Sequence, residues 1–596
     1  MSHNDKSSEA LSPARYDSSF FHESYSGRKV LIFVPHQDDE INTAGNAIQI
    51  FTKAGAEVYV TFTTNGDFYT PAETRLSEAV NSLKVLGVEK SHIFMMGYAD
   101  SLNNSEEGHI FYSENIPVRS ASGHTETYGA AGIQDFGFTA HGVHSKYCRN
   151  DYIRDMKELI LKVKADVLIA TDFDSHADHR MLSLSFDAAM GQILSRPGND
   201  YFPEVFRRFA YSTAFAAFPD LFDSDFILST VKPEQEVLSY YLKQMIDTSY
   251  YSWPERVRIP VPEESRELYD DNIITKALSQ HVSQRVCVNA ENIINSDEVF
   301  WRRRTDSLSF SAKVTASSGN PEYVHDFRLL NVSNIDINPP AWENYLWTPD
   351  ENDEAKELVF TWDSPQKISV IRLWGNVDGV PLQRVLITMN SGYQSETGPL
   401  PENGLPMTLN IAEQLNVTEC RVKIISQGSE ESGLAEVEIF SEDEQPAILK
   451  PFIQIMTGGN FVYVYPRKNE ELAVPIECYS YRCDSPISYK VEGPATFDGE
   501  KLTFESGKND DVILSAYSDN GLYCRSVFRY ASDEEITKLR RLQSRTKRKL
   551  RRMESVTYWL NWAGFIKTMT RKHGVWFTVK IVCEIVAGNI KNMLKK

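Results

Sequence analysis

Two short stretches concentrate the residue types that bind metals and move protons. The first is PHQDDE, running from Pro35 through His36, Gln37, Asp38 and Asp39 to Glu40. The second is TDFDSHADH, which supplies Asp172, Asp174, His176, Asp178 and His179. One His and one carboxylate from the first, with one His from the second, make a three-ligand nitrogen and oxygen set with an open position, the composition a catalytic zinc needs. Neither stretch contains a thiol, which argues against a closed structural site. Zinc lowers the pKa of its water to about 7 and polarises an amide carbonyl. A neighbouring carboxylate can then take the proton, while a His stabilises the oxyanion or protonates the leaving amine. Adjacent Asp38 and Asp39 can divide that work, because successive side chains on a tight loop point in different directions. His176 and His179 are three apart and share a face if a helix begins near them.

Such residues act only if a scaffold brings them together. Residues 29–34 (KVLIFV), 57–63 (EVYVTFT), 92–97 (HIFMMG) and 166–170 (DVLIA) read as strands, with helical periodicity over 43–54, from Leu76 to Leu86, and over 151–164. Strands alternating with helices predict a parallel sheet covered by helices. Both polar stretches directly follow a strand, so both fall at the carboxyl edge of one sheet, where open α/β sheets place ligands. Acids are also common at helix starts for electrostatic reasons. What separates this case is the pairing of the two stretches in a chain with only 13 His. The polar, Gly-rich segment 101–149 is long enough to be a functional loop, with Tyr128, His141 and His144 as candidate contacts.

The chain has 596 residues, a length that predicts several domains. Its net charge of −20 argues against nucleic-acid binding through a general basic surface. The charge is uneven: from Lys538 to Lys596 there are 16 Lys and Arg against two acids, Glu554 and Glu584. Seven scattered Cys without finger spacing indicate neither a zinc module nor a disulfide framework. Free thiols and a polar start without signal-peptide features predict a cytoplasmic protein, and no apolar stretch is long enough for a transmembrane helix.

The motifs resemble the PIG-L/LmbE-like zinc-dependent N-acetylglucosaminyl deacetylases. The family's PHPDDE is matched by PHQDDE, its strand followed by TDG by TFTTNGD with Asn65, Gly66 and Asp67, its RxxE helix by Arg75 to Glu78, and its HxDH by HADH. ETYG (Glu126 to Gly129) and KALSQHVSQ (Lys276 to Gln284) extend the similarity over about residues 28–304. The resemblance implies a Rossmann-like fold, zinc held by His36, Asp39 and His179, Asp38 as general base, and His176 as electrostatic partner of the tetrahedral intermediate. It places Asp100 near the sugar, and Arg75 and Tyr128 are further candidate substrate contacts. Gln37 stands where the family has Pro, a change expected to loosen the metal loop without removing a ligand.

Beyond about Ser307 the pattern becomes alternating apolar residues punctuated by Gly, Pro, Asn and Asp, the signature of antiparallel sandwiches. KVTASSG, ELVFTWDSPQKISVIRLWGN and AEVEIF resemble a galactose-binding-like or discoidin-type module, in which Trp342, Tyr345 and Trp347 could stack on a sugar, although Trp in sandwiches more often serves as a core or loop anchor. The expected organisation is a disordered segment 1–27, a deacetylase-like domain 28–305, a galactose-binding-like sandwich 306–445, an immunoglobulin-like sandwich 446–532 acting as a spacer, and a basic amphipathic helical tail 533–596. The tail, with Trp559, Trp562, Phe565, Trp576 and Phe577 among its cations, has the composition of an interfacial anchor on an anionic membrane. The expected activity is zinc-dependent removal of N-acetyl groups from an N-acetylglucosamine-type sugar in a lipid-linked or surface-polysaccharide precursor at the inner face of the membrane. The alternatives are a glycan-binding scaffold with an idle catalytic domain and a zinc amidase acting on another amide.

Overall fold

The computed structural model describes residues 18–100, 109–173, 176–210, 256–261, 272–284, 297–329, 346–376, 380–401, 405–457, 463–464, 472–508, 510–530 and scattered positions between 534 and 582. Trp342, Tyr345 and Asp174 lie outside the described residues.

The first unit contains α1 (Ser18–Tyr25), β1 (Lys29–Val34), α2 (Asp39–Lys53), β2 (Glu57–Thr64), α3 (Ala72–Val85), β3 (Ile93–Tyr98), α4 (Phe136–His141), α5 (Arg149–Val163), β4 (Val167–Thr171), α6 (Ala177–Leu194), β5 (Glu204–Arg208), β6 (Arg256–Pro260), α7 (Ile273–Leu278) and β7 (Asp297–Arg303). Its strands form one sheet in the order β3-β2-β1-β4-β5-β7-β6, parallel from β3 to β5 and antiparallel at β7 and β6. Alternation along β1 builds two cores: Val30, Ile32 and Val34 pack with α1, α2 and α3, while Leu31 and Phe33 pack with α5 and α6. The chain steps outward from β1 to β3 and then returns to β4 beside β1, so the strand order reverses between β1 and β4. Such a switch point opens a crevice at the carboxyl ends of the strands.

Part of the segment expected to be disordered is ordered. α1 buries Phe21 and Tyr25 completely, with the Tyr25 ring 4.6 Å from that of Phe51 on α2, because its aromatic residues gain more by burial than the short polar chain loses by ordering.

The second unit comprises β8 (Lys313–Ala316), β9 (Glu357–Trp374), β10 (Arg384–Met389), β11 (Gln394–Glu396), β12 (Met407–Ser426) and β13 (Glu436–Phe440). They join in a single six-stranded antiparallel sheet wrapped about its own core. The segments ELVFTW and ISVIRLW are one continuous strand, β9, which pairs along β12 with register shifts where it bends. Trp347 is wholly buried and donates its indole N–H to the carbonyl of Ser318, so it is a core anchor rather than a stacking platform.

The third unit has β14 (Phe452–Thr457), β15 (Tyr463–Val464), β16 (Leu472–Tyr481), β17 (Ile487–Glu492), β18 (Ala495–Phe497), β19 (Lys501–Phe504), β20 (Val512–Ser518) and β21 (Tyr523–Tyr530). They make two four-stranded sheets, β14-β16-β19-β18 and β15-β21-β20-β17. This sandwich is not a loose spacer. Its core is continuous with that of the first unit, and Phe20 of α1 meets Phe452 edge to face at 5.9 Å.

Consecutive arginines at the end of β7 hold the units together. Arg302 pairs with Glu204 at 3.1 Å and donates to the carbonyls of Gln445 and Pro446 at the entrance to the third unit. Arg303 donates to Glu438 and to the carbonyl of Phe327 in the second. Arg304 donates to the carbonyls of Glu442 and Asp443 between them and lies 3.7 Å over the Phe440 ring. The described tail positions are helical apart from Gly574, and no helix among the described residues is long and apolar enough to cross a membrane.

Candidate active site

His36 and Asp39 stand just beyond β1, and His176 and His179 just beyond β4, so both polar stretches meet at the switch point. His36 Nδ1 lies 3.0 Å from Asp39 Oδ2, Asp39 Oδ2 lies 3.2 Å from His179 Nε2, and His179 Nε2 lies 3.3 Å from His36 Nδ1. Those spacings approach the ligand separation of a tetrahedral site with bonds of about 2 Å. All three side chains are buried. The other nitrogen of His36, Nε2, faces Asp178 Oδ2 at 3.0 Å. Asp39 Oδ2 also accepts the His36 backbone N–H at 3.1 Å, and with the ring proton on Nε2 alone the Nδ1 lone pair points at that carboxylate, an arrangement a cation between them would satisfy. Two overlapping groups share His36: His36 with His176 and His179, and His36 with Asp100 and Asp178, each with ligand atoms within 4.8 Å of one another. In the second group the carboxylates face Nε2 of His36, on the opposite side of the ring from Asp39.

The electrostatics favour positive charge at this spot. Burial by itself would lower the His36 imidazole, but Asp100, Asp178 and Asp39 hold it well above its ordinary value. Burial would raise Asp39, but His179 and His36 keep it well below the usual carboxylate range. Its neighbour behaves oppositely: burial and the Asp39 charge push Asp38 up to about 6, against the opposing influence of Arg75, His281 and His36. Two adjacent carboxylates are thus set apart in basicity, the pattern expected when one binds and the other moves protons.

Asp38 occupies a strained backbone position, φ 144°, which only a well-braced loop sustains. Its N–H donates to Glu40 Oε2 at 2.8 Å, and Glu40 Oε1 meets His281 Nε2 at 2.6 Å, so the late KALSQHVSQ segment reaches the loop from across the fold. Arg75, on α3, donates to the Gln37 carbonyl at 2.9 Å and approaches Asp38 at 3.3 Å and Asp100 at 3.5 Å. Gln37 does not loosen the loop. Its side chain is fully buried and donates to the carbonyl of Thr64 at 2.9 Å, tying the β1 loop to the β2 loop. Gly66 makes room for it: a Cβ there would stand 1.9 Å from Gln37 Oε1, and its φ of +64° suits glycine.

His176 is the N-cap of α6 and accepts the Asp178 N–H at Nδ1, which leaves the proton on Nε2. Burial and the neighbouring His36 and His179 lower its pKa to about 4. Tyr128 donates to Asp67 at 2.7 Å, from the turn that carries Asn65 and Gly66. His141 and His144 are not brought to the cluster; they pair with Glu158 at 2.9 Å and Asp135 at 2.8 Å. Asp172 is structural, accepting from Phe173 N, Ser183, Arg207 and Trp301. His109 is the residue that sequence reasoning missed: it is buried and its Nε2 lies 3.0 Å from Asp178 Oδ1. It sits in a long polar segment without motif spacing, so no local signal marked it.

An open α/β sheet with a His–Asp–His cluster at its switch point defines the class of unit. Residues 31–190, from β1 into α6 and so through both motifs, match the family model described as PIG-L: GlcNAc-PI de-N-acetylase. Among solved structures the chain is similar to N,N'-diacetylchitobiose deacetylase from Pyrococcus horikoshii, with 16% identity over 51% of this chain and 94% of that one and a TM-score of 0.27. It is also similar to a zinc-inhibited form of teicoplanin deacetylase Orf2, with 14% identity over 46% and 97% and a TM-score of 0.27. A third is GalB, the 4-carboxy-2-hydroxymuconate hydratase from Pseudomonas putida, with 11% identity over 46% and 95% and a TM-score of 0.24. No curated protein matches the chain.

Proposed function

We propose that the protein is a zinc-dependent N-deacetylase acting on an N-acetylglucosamine-type sugar in a lipid-linked or surface-polysaccharide precursor. The reading is carried by the convergence of His36 Nδ1, Asp39 Oδ2 and His179 Nε2 beside Asp38. The family match over 31–190 and the acetylated-sugar chemistry named for the chitobiose deacetylase support the substrate class. Zinc held by those three residues would supply the Lewis acid for amide hydrolysis. Asp38, steered by Arg75, takes the proton of the attacking water. His176 presents Nε2–H to the oxygen that gains charge, and Arg75 with Asp100 and Tyr128 forms the polar rim that orients the sugar.

The tail is read as an anchor at an anionic leaflet on the cytoplasmic side. Trp576, Val575 and Val579 stand exposed in it beside Lys580, and each basic residue near such a surface adds about 1 kcal/mol.

The test is acetate release from N-acetylglucosamine-containing glycolipids and oligosaccharides, with zinc-loaded wild type beside Asp38→Asn. Release by wild type alone is expected. Failure on every substrate with zinc bound would redirect the reading to a zinc amidase on another amide, and failure without bound zinc to a glycan-binding scaffold.

A further inference from the structure

We propose that His109 is a positioning residue for the metal cluster, acting through Asp178 to fix which nitrogen of His36 faces Asp39 and His179. The inference rests on the metal-site reading given above. Its argument is the direction of three linked hydrogen bonds. The backbone N–H of Phe111 donates to His109 Nδ1 at 3.2 Å, so that nitrogen carries a lone pair and the ring proton sits on Nε2. His109 Nε2–H therefore donates to Asp178 Oδ1 at 3.0 Å. The second oxygen, Oδ2, receives His36 Nε2–H at 3.0 Å. A neutral His36 then keeps its lone pair on Nδ1, toward Asp39 Oδ2 and His179 Nε2. A ligating imidazole needs such an outer partner to hold its tautomer and ring plane.

Three features make this a built arrangement. His109 and Asp178 are each only 2% exposed, so water does not compete for their hydrogen bonds. His109 is fixed at the start of the turn Ile110–Tyr112, whose Phe111 supplies the orienting amide. Asp178 is held from its backbone side as well, where its N–H donates to His176 Nδ1. The segment after β3 thus reaches the metal ligands through His109, and a change there would be felt as a change in metal affinity before any substrate is bound.

The experiment uses the full chain and reads zinc affinity by chelator competition and the visible spectrum of the cobalt-substituted protein, with kcat and KM for acetate release as a second readout. His109→Phe and His109→Met remove the donor, and His109→Gln keeps one. The donor-less variants should bind zinc about 10- to 100-fold more weakly, alter the cobalt spectrum and lower kcat with little change in KM. His109→Gln should restore most of the affinity, which a merely space-filling role would not predict. Wild-type affinity and spectrum in a folded donor-less variant, or equal losses in Gln and Met, would overturn the proposal. If wild type binds zinc and shows this dependence yet releases no acetate, the deacetylase reading falls and the positioning role stands. If wild type binds no metal, both fall.

Discussion

At the carboxyl end of the parallel sheet, Asp38, Asp39, Asp100 and Asp178 crowd around imidazoles and one guanidinium, that of Arg75, which approaches Asp38 and Asp100. At the amino end the acids meet arginines: Asp166 pairs with Arg28 at 3.0 Å, and Glu204 with Arg302 at 3.1 Å. The residue chosen as partner makes the difference. An arginine carries its charge permanently and has no lone pair to offer, so its pair with an acid is complete. A histidine can donate at one nitrogen and keep a lone pair at the other, so its pair with an acid leaves coordination unspent. The amino end is therefore finished as structure, joined to the third unit through Arg302, and at the carboxyl end the imidazole cluster is prepared for chemistry beside arginine pairs such as Asp172 with Arg207.

The sharpest way to break this contrast is at the imidazoles. His179→Ala should lose most of its bound zinc and essentially all acetate release, and unchanged metal stoichiometry would remove it from the ligand set. Asp38→Asn should keep the metal and lose between about a hundredfold and ten-thousandfold in kcat; a wild-type rate would take away its role as base. At the opposite end, Arg302→Ala strands Glu204 and should cost about 3 kcal/mol of stability in denaturant unfolding, with zinc affinity unchanged. A loss of metal there would blur the division between the two ends. A smaller effect follows from Glu204, whose carboxyl burial raises despite Arg302. The folded protein holds that proton where the unfolded chain has released it, so this contribution is complete below the ordinary Glu range and declines as pH rises through the folded-state value. Glu204→Gln should flatten that part of the stability profile; an unchanged slope would assign it to other groups.

Sequence pattern read the chemistry-bearing end well and the joining end poorly. Both polar stretches are local in the chain and follow strands whose β-branched runs are plain, so their meeting at one sheet edge is legible in the sequence, whereas the choice of His36, Asp39 and His179 as ligands comes from the resemblance. Partnerships across long separations were not: Glu40 with His281, His36 with Asp178, and His109 with Asp178 are set by topology. Gln37 misled because the resemblance supplied a Pro for comparison, whereas its amide finds the Thr64 carbonyl only once two loops are adjacent. Trp347 takes the anchor role that is commoner for Trp in sandwiches, the sheet closing over it despite polar neighbours. The bend in β9 stayed hidden, since the Asp and Pro that punctuate the apolar runs are here carried inside an 18-residue strand.

The three arginines at and just past the end of β7, Arg302 to Arg304, look redundant in a line of text. Side chains along a strand alternate in direction, and the destinations alternate with them: Glu204 and the 445–446 carbonyls for Arg302, Glu438 for Arg303, and the 442–443 carbonyls for Arg304. Identity of residue is therefore not equivalence of position. A one-residue insertion before Arg302 would preserve an Arg at several of these places yet send each to the wrong neighbour, so this stretch should tolerate substitution by another long cation far better than any change in its length.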